Sequence, residues 1–228
     1  MHGSREEVSA NLEEIRRGIA TACERAGRDP AEVLLVAAAK TVPAEVIGWV
    51  VEQGVTAVGE NYVKELREKH GRLPGVAWHF IGTLQTNTVH HVAELADVVE
   101  TLSGSHAPQR LARRAAAAGR TLDAMIEVDL TGERTGVTPS EAPAFADHIA
   151  GLEGLNLIGL MTLPPMPESA EDGRPAFVQL RGLRDRIREK HPGVLELSMG
   201  MSLDYQVAVE EGATMVRIGT ALFGPRAP

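Results

Sequence analysis

The sequence predicts an α/β fold, a (β/α)8 TIM barrel with an extra helix at its N-terminus. Two observations lead to this prediction. Short apolar segments alternate with amphipathic segments along the 228 residues, and there are eight of the apolar segments. Strict alternation of strand and helix is typical of right-handed βαβ units in a parallel sheet. Eight such units favour a closed barrel, and a doubly wound open sheet is the alternative.

The extra helix is predicted over residues 5–26, where apolar residues recur at steps of three and four. They are Val8, Leu12, Ile15, Ile19 and Ala22. The strand candidates are 33–39, 56–59, 77–82, 97–100, 123–130, 155–161, 195–199 and 214–219. Helical stretches between them include 43–53, 107–118, 139–151, 173–190 and 203–211. Since no linker, low-complexity tract or composition shift divides the chain, we expect residues 1–228 to be one domain.

Charge and composition restrict the function. A net charge of −8 argues against general binding to nucleic acid or to anionic membranes. The single cysteine, Cys23, cannot form an intrachain disulfide, which is compatible with a reducing compartment. The N-terminus has no apolar signal-peptide region and no segment is as long as a membrane span, so we expect a cytoplasmic protein.

Several known signatures are absent from the sequence. It contains no glycine-rich dinucleotide fingerprint, no Walker loop, no G-x-S-x-G elbow and no H-E-x-x-H. His90 and His91 are adjacent on a predicted helix and therefore do not share a face. No metal site is predicted.

Lys40 ends the first strand segment, V-L-L-V-A-A-A-K (33–40). The carboxyl ends of parallel strands face the ligand in barrels and in open α/β sheets. A lysine there can act as a nucleophile toward a carbonyl carbon. The alternative is a lysine that marks the strand end and reaches into water. This segment alone favours the alternative.

The segments S-M-G-M-S (198–202) and R-I-G-T-A (217–221) follow the last two strands. In TIM barrels these loops often form a phosphate site, which needs small residues and hydroxyl donors. The small residues and the hydroxyl donors are supplied by Gly200, Ser202, Gly219 and Thr220. Ser202 is also a candidate N-cap. Arg217 ends a strand that the sequence predicts to be buried, so it must meet an anion, a carbonyl or a ring acceptor. A structural ion pair satisfies this requirement equally well.

Polar residues also follow the second strand, where Glu60 and Asn61 are candidates for ligand contact and Asn61 is alternatively a helix N-cap. His79 lies within an apolar strand, which is more typical of a hydrogen-bonded core residue than of a catalytic one. Met161 is expected to pack at the barrel mouth. The loop 163–175 is either a mobile lid or a solvated loop.

Taken in order, six segments resemble the pyridoxal 5′-phosphate (PLP) homeostasis proteins, which are single-domain relatives of the alanine racemase barrel. The segments are A-A-K-T, V-G-E-N-Y-V-K-E, W-H-F-I-G-T-L-Q-T-N, G-L-M-T, L-S-M-G-M-S-L-D-Y and V-R-I-G-T-A-L-F-G. The resemblance covers the chain from about residue 5 to Arg226. Its specificity comes from the order and spacing of the segments.

The resemblance implies that PLP is the cofactor and that Lys40 holds it as an internal aldimine. It places Asn61 beside the ring and Arg217 opposite the pyridine nitrogen. The implied phosphate cradle consists of Ser202, Gly219 and Thr220, with Met199 and Met201 on the loop before it. It implies no catalytic residue.

Three segments depart from the family pattern. Thr88 stands where the family frequently has a lysine, and Arg134 stands where a lysine is common. The fourth strand is followed by E-T-L-S-G instead of a segment ending in S-V-D. These departures leave the aldimine and phosphate positions intact and put partner or regulatory contacts in question.

The resemblance favours a non-catalytic carrier and buffer of PLP that takes part in vitamin B6 and amino-acid homeostasis. An always-charged arginine at the ring nitrogen weakens the electron sink, and we expect no second domain after the last strand to complete an enzyme site. The alternative is a minimal PLP enzyme such as a slow amino-acid racemase, for which His79 and Tyr62 are the candidate bases. Apo-forms of PLP enzymes are candidate recipients, and we expect a monomer.

Overall fold

The computed structural model describes residues 3–104, 106–132, 135–165 and 168–225. Within these ranges, eight parallel strands form a closed barrel in chain order, and the last strand pairs with the first. The strands are β1 (Leu34–Ala38), β2 (Ala57–Glu60), β3 (Ala77–Phe80), β4 (Val98–Leu102), β5 (Leu122–Glu127), β6 (Leu155–Met161), β7 (Glu196–Ser198) and β8 (Met215–Ile218). The predicted closed barrel is confirmed, and the open-sheet alternative is excluded.

Helices connect the strands and surround the barrel. They are α1 (Arg5–Ala26), α2 (Ala44–Val51), α3 (Val63–His70), α4 (Val89–Leu95), α5 (His106–Ala117), α6 (Ala142–Ala150), α7 (Arg174–Arg188), α8 (Tyr205–Glu210) and α9 (Thr220–Phe223). The prediction for 139–151 began too early. The hydroxyl of Thr138 donates to the Glu141 carboxylate at 2.6 Å, which forms a turn before the helix begins.

Helix α1 has the bounds that its apolar spacing predicts. Its N-terminus carries a capping box, in which the Ser4 hydroxyl accepts from the Glu7 backbone N–H and the Glu7 carboxylate accepts from the Ser4 backbone N–H. The helix ends at Gly27, whose φ of 65° is left-handed. Its buried face packs on α8, where a β-carbon at Gly18 would lie 2.1 Å from the Tyr205 hydroxyl oxygen. A side chain at position 18 would therefore force Tyr205 to move.

Apolar side chains fill two separate layers. The larger layer lies between the strands and the surrounding helices. The smaller one lies inside the barrel and consists of Val36, Ala57, Met125, Met161 and Met215. Inward-facing residues fill the interior of an eight-stranded barrel, so the fold has a packed core and not a pore. The expected packing role of Met161 is confirmed.

The loop 163–175 is described only in part. Residues 166 and 167 of the loop 163–175 lie outside the described residues, so the lid remains a prediction. Later in the loop, Ser169 and Asp172 form a capping box at a short 3₁₀ turn, Ala170–Gly173.

Among the residues that the structure describes, no helix is long and apolar enough to cross a membrane.

Candidate functional site

Lys40 lies two residues after the end of β1, at the carboxyl end of the barrel, as predicted. It is the second residue of a tight turn that is closed by a 2.9 Å hydrogen bond from the Val42 N–H to the Ala39 carbonyl. The third residue, Thr41, has a φ of 66° and is the one non-glycine residue with positive φ in the described chain. Glycine is usual at this position of a turn. A β-branched residue there costs about 1–2 kcal/mol, so the surrounding contacts must stabilise the turn.

The Lys40 amine differs from the other lysine amines of the chain. Each of the other three lysines lies within 3.9 Å of a carboxylate: Lys64 of Glu68, Lys69 of Glu60 and Glu65, and Lys190 of Asp147. In the described part of the chain, Lys40 has no such partner. It is half-buried, and its Nζ lies 6.0 Å from the ring centre of Tyr62. The geometry therefore leaves an amine available at the barrel mouth.

A buried polar cluster lies behind the Lys40 turn, between β2 and α3. The Lys69 ammonium donates to Glu60 Oε1 and to Glu65 Oε2, both at 2.7 Å, and to the Ala39 carbonyl at 3.0 Å. Glu60 was a candidate from the sequence, whereas Lys69 and Glu65 were missed. The four-residue spacing of a glutamate and a lysine on a predicted helix was the available signal, although it usually marks a solvent-exposed pair.

Glu60 is fully buried, and its Oε2 has no hydrogen-bond partner among the described residues. Burial raises the pKa of Glu60 to about 7, against the opposing effect of the hydrogen bond and charge of Lys69. The carboxyl group therefore titrates near neutral pH.

The loops after β7 and β8 meet, as the predicted phosphate cradle requires. The Ser202 hydroxyl accepts a 3.1 Å hydrogen bond from the Ala221 N–H, in the first turn of α9. A β-carbon at Gly219 would lie 3.1 Å from the Ala38 carbonyl oxygen, so this loop also lies against the strand that leads to Lys40. Thr220 is exposed at the start of α9.

The alternative role of Ser202 as an N-cap is wrong. Helix α8 begins at Tyr205, with Asp204 before it, and the Ser202 hydroxyl contacts α9 instead. Asp204 accepts a 2.7 Å hydrogen bond from the Met201 N–H, which fixes the backbone within the loop after β7. Burial raises the pKa of Asp204.

Arg217 is buried inside the barrel and is held by several polar groups. It donates to the Ser198 hydroxyl and, at 2.8 Å, to the Thr162 carbonyl. Glu100 Oε2 lies 3.7 Å from the guanidinium and accepts from the Ser198 hydroxyl at 2.5 Å. The other oxygen of Glu100 lies 2.6 Å from His79 Nδ1. The network therefore runs from His79 through Glu100 to Arg217.

The charges in this network balance each other. Burial alone would raise the pKa of Glu100, but the hydrogen bond and charge of His79 and the charge of Arg217 hold it below its ordinary value. Burial lowers the pKa of Arg217, and the carboxylate of Glu100 opposes that effect. Of the partners that the sequence requires for Arg217, the structure shows an ion pair with Glu100 and a backbone carbonyl, and a ring acceptor remains a prediction. Glu100 and Ser198 were missed because each stands alone in an apolar segment.

Two further predicted positions are Asn61 and His79. Asn61 is not the N-cap of α3, because Tyr62 occupies that position, and the Asn61 amide donates to the Ile81 carbonyl at 3.2 Å. His79 is a buried, hydrogen-bonded core residue, as its apolar strand indicates.

The two methionines of the loop after β7 differ in exposure. Met199 is fully buried in the layer between barrel and helices, so its side chain does not reach the mouth, whereas Met201 is half-buried.

At the departures from the family pattern, the Thr88 hydroxyl donates to the Gln85 carbonyl at 3.3 Å. Arg134 lies outside the described residues.

The donor set fits a ligand that carries a carbonyl group and a phosphate. The amine of Lys40 can bond the carbonyl carbon, and the hydroxyl groups and backbone after β7 and β8 can hold the phosphate. Arg217 supplies a fixed positive charge inside the barrel. Among the described residues, no group of three or more His, Cys, Asp or Glu side chains could hold a metal ion.

Comparison with known proteins agrees with this geometry. The sequence profile of the alanine racemase N-terminal domain matches residues 10–227. A pyridoxal phosphate homeostasis protein of Aquifex aeolicus is 42% identical over 226 residues, which are 97% of each chain. The structure of PipY from Synechococcus elongatus with PLP bound has a TM-score of 0.84 and 31% identity, covering 95% of this chain and 100% of that one. A protein of unknown function from Bifidobacterium adolescentis has a TM-score of 0.89 and 31% identity, covering 96% and 95%.

The barrel, the lysine after its first strand and the matched profile define the class as the alanine racemase N-terminal domain barrel. Eight relatives that cover nearly the whole chain at 36–42% identity are named pyridoxal phosphate homeostasis protein. Within this class, the chain belongs to the pyridoxal phosphate homeostasis protein family.

Proposed function

We propose that this chain binds PLP through Lys40 and carries and buffers it within vitamin B6 and amino-acid homeostasis, without robust catalysis. One observation carries the proposal. Lys40 is the lysine without a carboxylate partner in the described part of the chain, and it lies at the barrel mouth. An amine that no carboxylate holds can bond the aldehyde carbon of PLP.

The comparisons support the choice of ligand. Relatives at 36–42% identity over nearly the full chain are named pyridoxal phosphate homeostasis proteins. The PipY structure, which covers 95% of this chain, has PLP bound. PLP carries both an aldehyde and a phosphate, which are the two groups that the donor set fits.

In this proposal each predicted residue has one task. Ser202, Thr220 and the backbone at Gly219 hold the phosphate, and Asn61 and Met201 border the ring. The contribution of Met199 is limited to the backbone that leads into Gly200.

Arg217 faces the pyridine nitrogen, and Glu100 and Ser198 keep its guanidinium in place. Bound PLP supplies an aldehyde and an electron sink. A permanently charged donor at the ring nitrogen leaves that nitrogen unprotonated, which makes the sink weak and suits storage better than turnover.

Further parts of the proposal concern organisation and partners. Residues 1–228 form one PLP-binding domain that acts as a monomer in the cytoplasm. Apo-forms of PLP enzymes are the recipients of the bound cofactor. Size-exclusion chromatography with light scattering tests the monomer, and activation of an apo-enzyme by the loaded protein tests the transfer.

Protection of the aldehyde tests the buffering function. PLP is mixed with an equal amount of protein and then with a hydrazine reagent that traps free aldehyde. The wild-type protein is expected to slow the trapping, and the Lys40→Ala variant is not. Lys64→Ala is the control, because Lys64 lies on the exposed face of α3 and pairs with Glu68. Trapping at the same rate with Lys40→Ala and wild type would overturn the proposal.

A slow amino-acid racemase is the second candidate. The supporting observation is Tyr62, which is 52% exposed at the mouth with its ring near the Lys40 amine. His79 is not available as a base at the mouth, because it is buried against Glu100. Chiral chromatography of alanine incubated with the loaded protein tests this candidate. Lys40-dependent turnover that Tyr62→Phe abolishes would favour it over the carrier.

A further inference from the structure

Lys69 is a buried lysine whose three N–H groups are all used. The amine donates to the carboxylates of Glu60 and Glu65 and to the Ala39 carbonyl, and the residue is 7% exposed. A lysine ammonium has three donors and no acceptor, so this bonding is complete. A buried lysine of this kind is rare unless it is paired. Its amine is therefore held in place and is not available as a nucleophile.

The cluster of Glu60, Glu65 and Lys69 holds both peptide groups that flank Lys40. The Ala39 carbonyl belongs to the peptide group before Lys40, and it accepts from Lys69 at 3.0 Å. The Thr41 N–H belongs to the peptide group after Lys40, and it donates to Glu65 Oε2 at 2.8 Å. The same oxygen of Glu65 accepts from Lys69. Helix α3 thus fixes the backbone on each side of the Lys40 side chain.

The hydrogen bonds of Lys69 and Glu65 reach the backbone where it is strained. Thr41 has a φ of 66°, a conformation that a β-branched residue adopts only when surrounding contacts impose it. The direction of the Lys40 side chain depends on the orientation of these two peptide groups. Small displacements of a reacting group have large effects on rate.

We propose that Lys69 and Glu65 are positioning residues that orient the Lys40 amine for capture of the PLP aldehyde. This inference rests on the proposed function. Glu60 completes the arrangement by accepting from the third N–H of Lys69. A purely structural role, in which the cluster only attaches α3 to the barrel, is the competing explanation.

Three variants separate the two explanations. Glu65→Gln keeps the size of the side chain but replaces the carboxylate, which accepts from both Lys69 and Thr41, with a neutral amide. Lys69→Met is made together with Glu60→Gln, so that no unpaired carboxylate remains buried. Lys69→Arg is the conservative variant that keeps the charge and the donors. The matched controls are Glu68→Gln and Lys64→Met, which change an exposed pair on the same helix.

Two readouts are used on each folded variant. The first is the rate at which the absorbance of Lys40-bound PLP develops after mixing. The second uses the protein without PLP and measures hydrogen exchange of a peptide spanning 36–44 together with acetylation of Lys40 by acetic anhydride. The second readout does not depend on cofactor binding.

We expect Glu65→Gln and the double variant to slow PLP capture about tenfold or more, with faster exchange in 36–44 and altered acetylation of Lys40. Lys69→Arg is expected to restore part of the rate, and both controls to match wild type. Wild-type capture, exchange and acetylation in Glu65→Gln and the double variant would overturn the inference. If the wild-type protein formed no bond with PLP, the proposed function would fail, and the second readout would still decide whether the cluster positions Lys40.

Discussion

The Ser202 hydroxyl accepts a 3.1 Å hydrogen bond from the backbone N–H of Ala221, 19 residues further along the chain. This contact joins the loop after β7 to the first turn of α9. Small residues at Gly200 and Gly219 bring the same loops close to their neighbours, Ala208 and Ala38. The two loops therefore form one surface with hydroxyl and backbone donors, although they are separate in sequence.

Removal of the cradle hydroxyl groups is expected to weaken PLP retention. Ser202→Ala and Thr220→Ala should each cost roughly 1–3 kcal/mol, because each removes a hydrogen bond to a charged phosphate. Dialysis of the loaded proteins followed by absorbance measures retention. Thr121→Ala, at an exposed threonine directly before β5 at the opposite, amino end of the barrel, is the control. Unchanged retention in both variants would remove these residues from the cradle.

Glu100 is expected to be important for stability because it balances Arg217 inside the barrel. Glu100→Gln keeps the shape but leaves the buried guanidinium without its anion, which should lower the free energy of unfolding by about 3–5 kcal/mol. Urea unfolding measures the change. Glu94→Gln, at an exposed glutamate near His91, should change it by less than about 0.5 kcal/mol. A loss below about 1 kcal/mol for Glu100→Gln would show that the charge balance is not required.

Glu60 predicts a specific dependence of stability on pH. The pKa of Glu60 is about 7 in the folded protein and has its ordinary value of 4.5 in the unfolded chain. Between pH 4.5 and pH 7, Glu60 is therefore protonated in the folded protein and ionised in the unfolded chain. The contribution of Glu60 is therefore present below pH 4.5 and is lost as the pH rises to about 7. The loss of folding free energy over this pH range is on the order of 3 kcal/mol.

Unfolding at pH 5 and pH 8 tests this dependence. Relative to Glu60→Gln, the wild-type protein should lose stability between the two pH values, since the amide does not titrate. Equal changes in the two proteins would mean that Glu60 has an ordinary pKa in the folded state.

Two glycines on helices should respond in opposite directions to alanine. Gly18→Ala would place a β-carbon 2.1 Å from the Tyr205 hydroxyl oxygen, so we expect a loss of about 1–3 kcal/mol from overpacking. A β-carbon at Gly182 on α7 would meet only the end of the Arg186 side chain, at 3.8 Å. Gly182→Ala should therefore stabilise the protein by up to about 1 kcal/mol through helix propensity. Thermal unfolding decides, and a stabilised Gly18→Ala variant would contradict the packing of α1 on α8.

Local pattern predicts much of this fold, because the signals are strong over short distances. The spacing from Val8 to Ala22 gives the bounds of α1, and the eight apolar runs give the barrel. The position of Lys40 at a strand end was also predictable, since it depends only on where its own strand stops.

Contacts between distant segments could not be predicted in the same way. The bond from Lys69 to the Ala39 carbonyl joins residues 30 positions apart, and Glu100 and Ser198 lie 98 positions apart. Each of these residues, taken alone, has the pattern of a surface charge or of a small strand residue. Ser202 shows the same limit, because its spacing before α8 is typical of an N-cap, whereas its bond goes to α9.

The central claim is that Lys40 holds the cofactor, and the chain allows a direct test because it has four lysines, at positions 40, 64, 69 and 190. The protein loaded with PLP is reduced with borohydride, digested and mapped by mass spectrometry. The account predicts a pyridoxyl group on Lys40, none on the hydrogen-bonded Lys69, and only traces on the exposed Lys64 and Lys190. A stoichiometric pyridoxyl group on any lysine other than Lys40, or an unmodified Lys40, would contradict it.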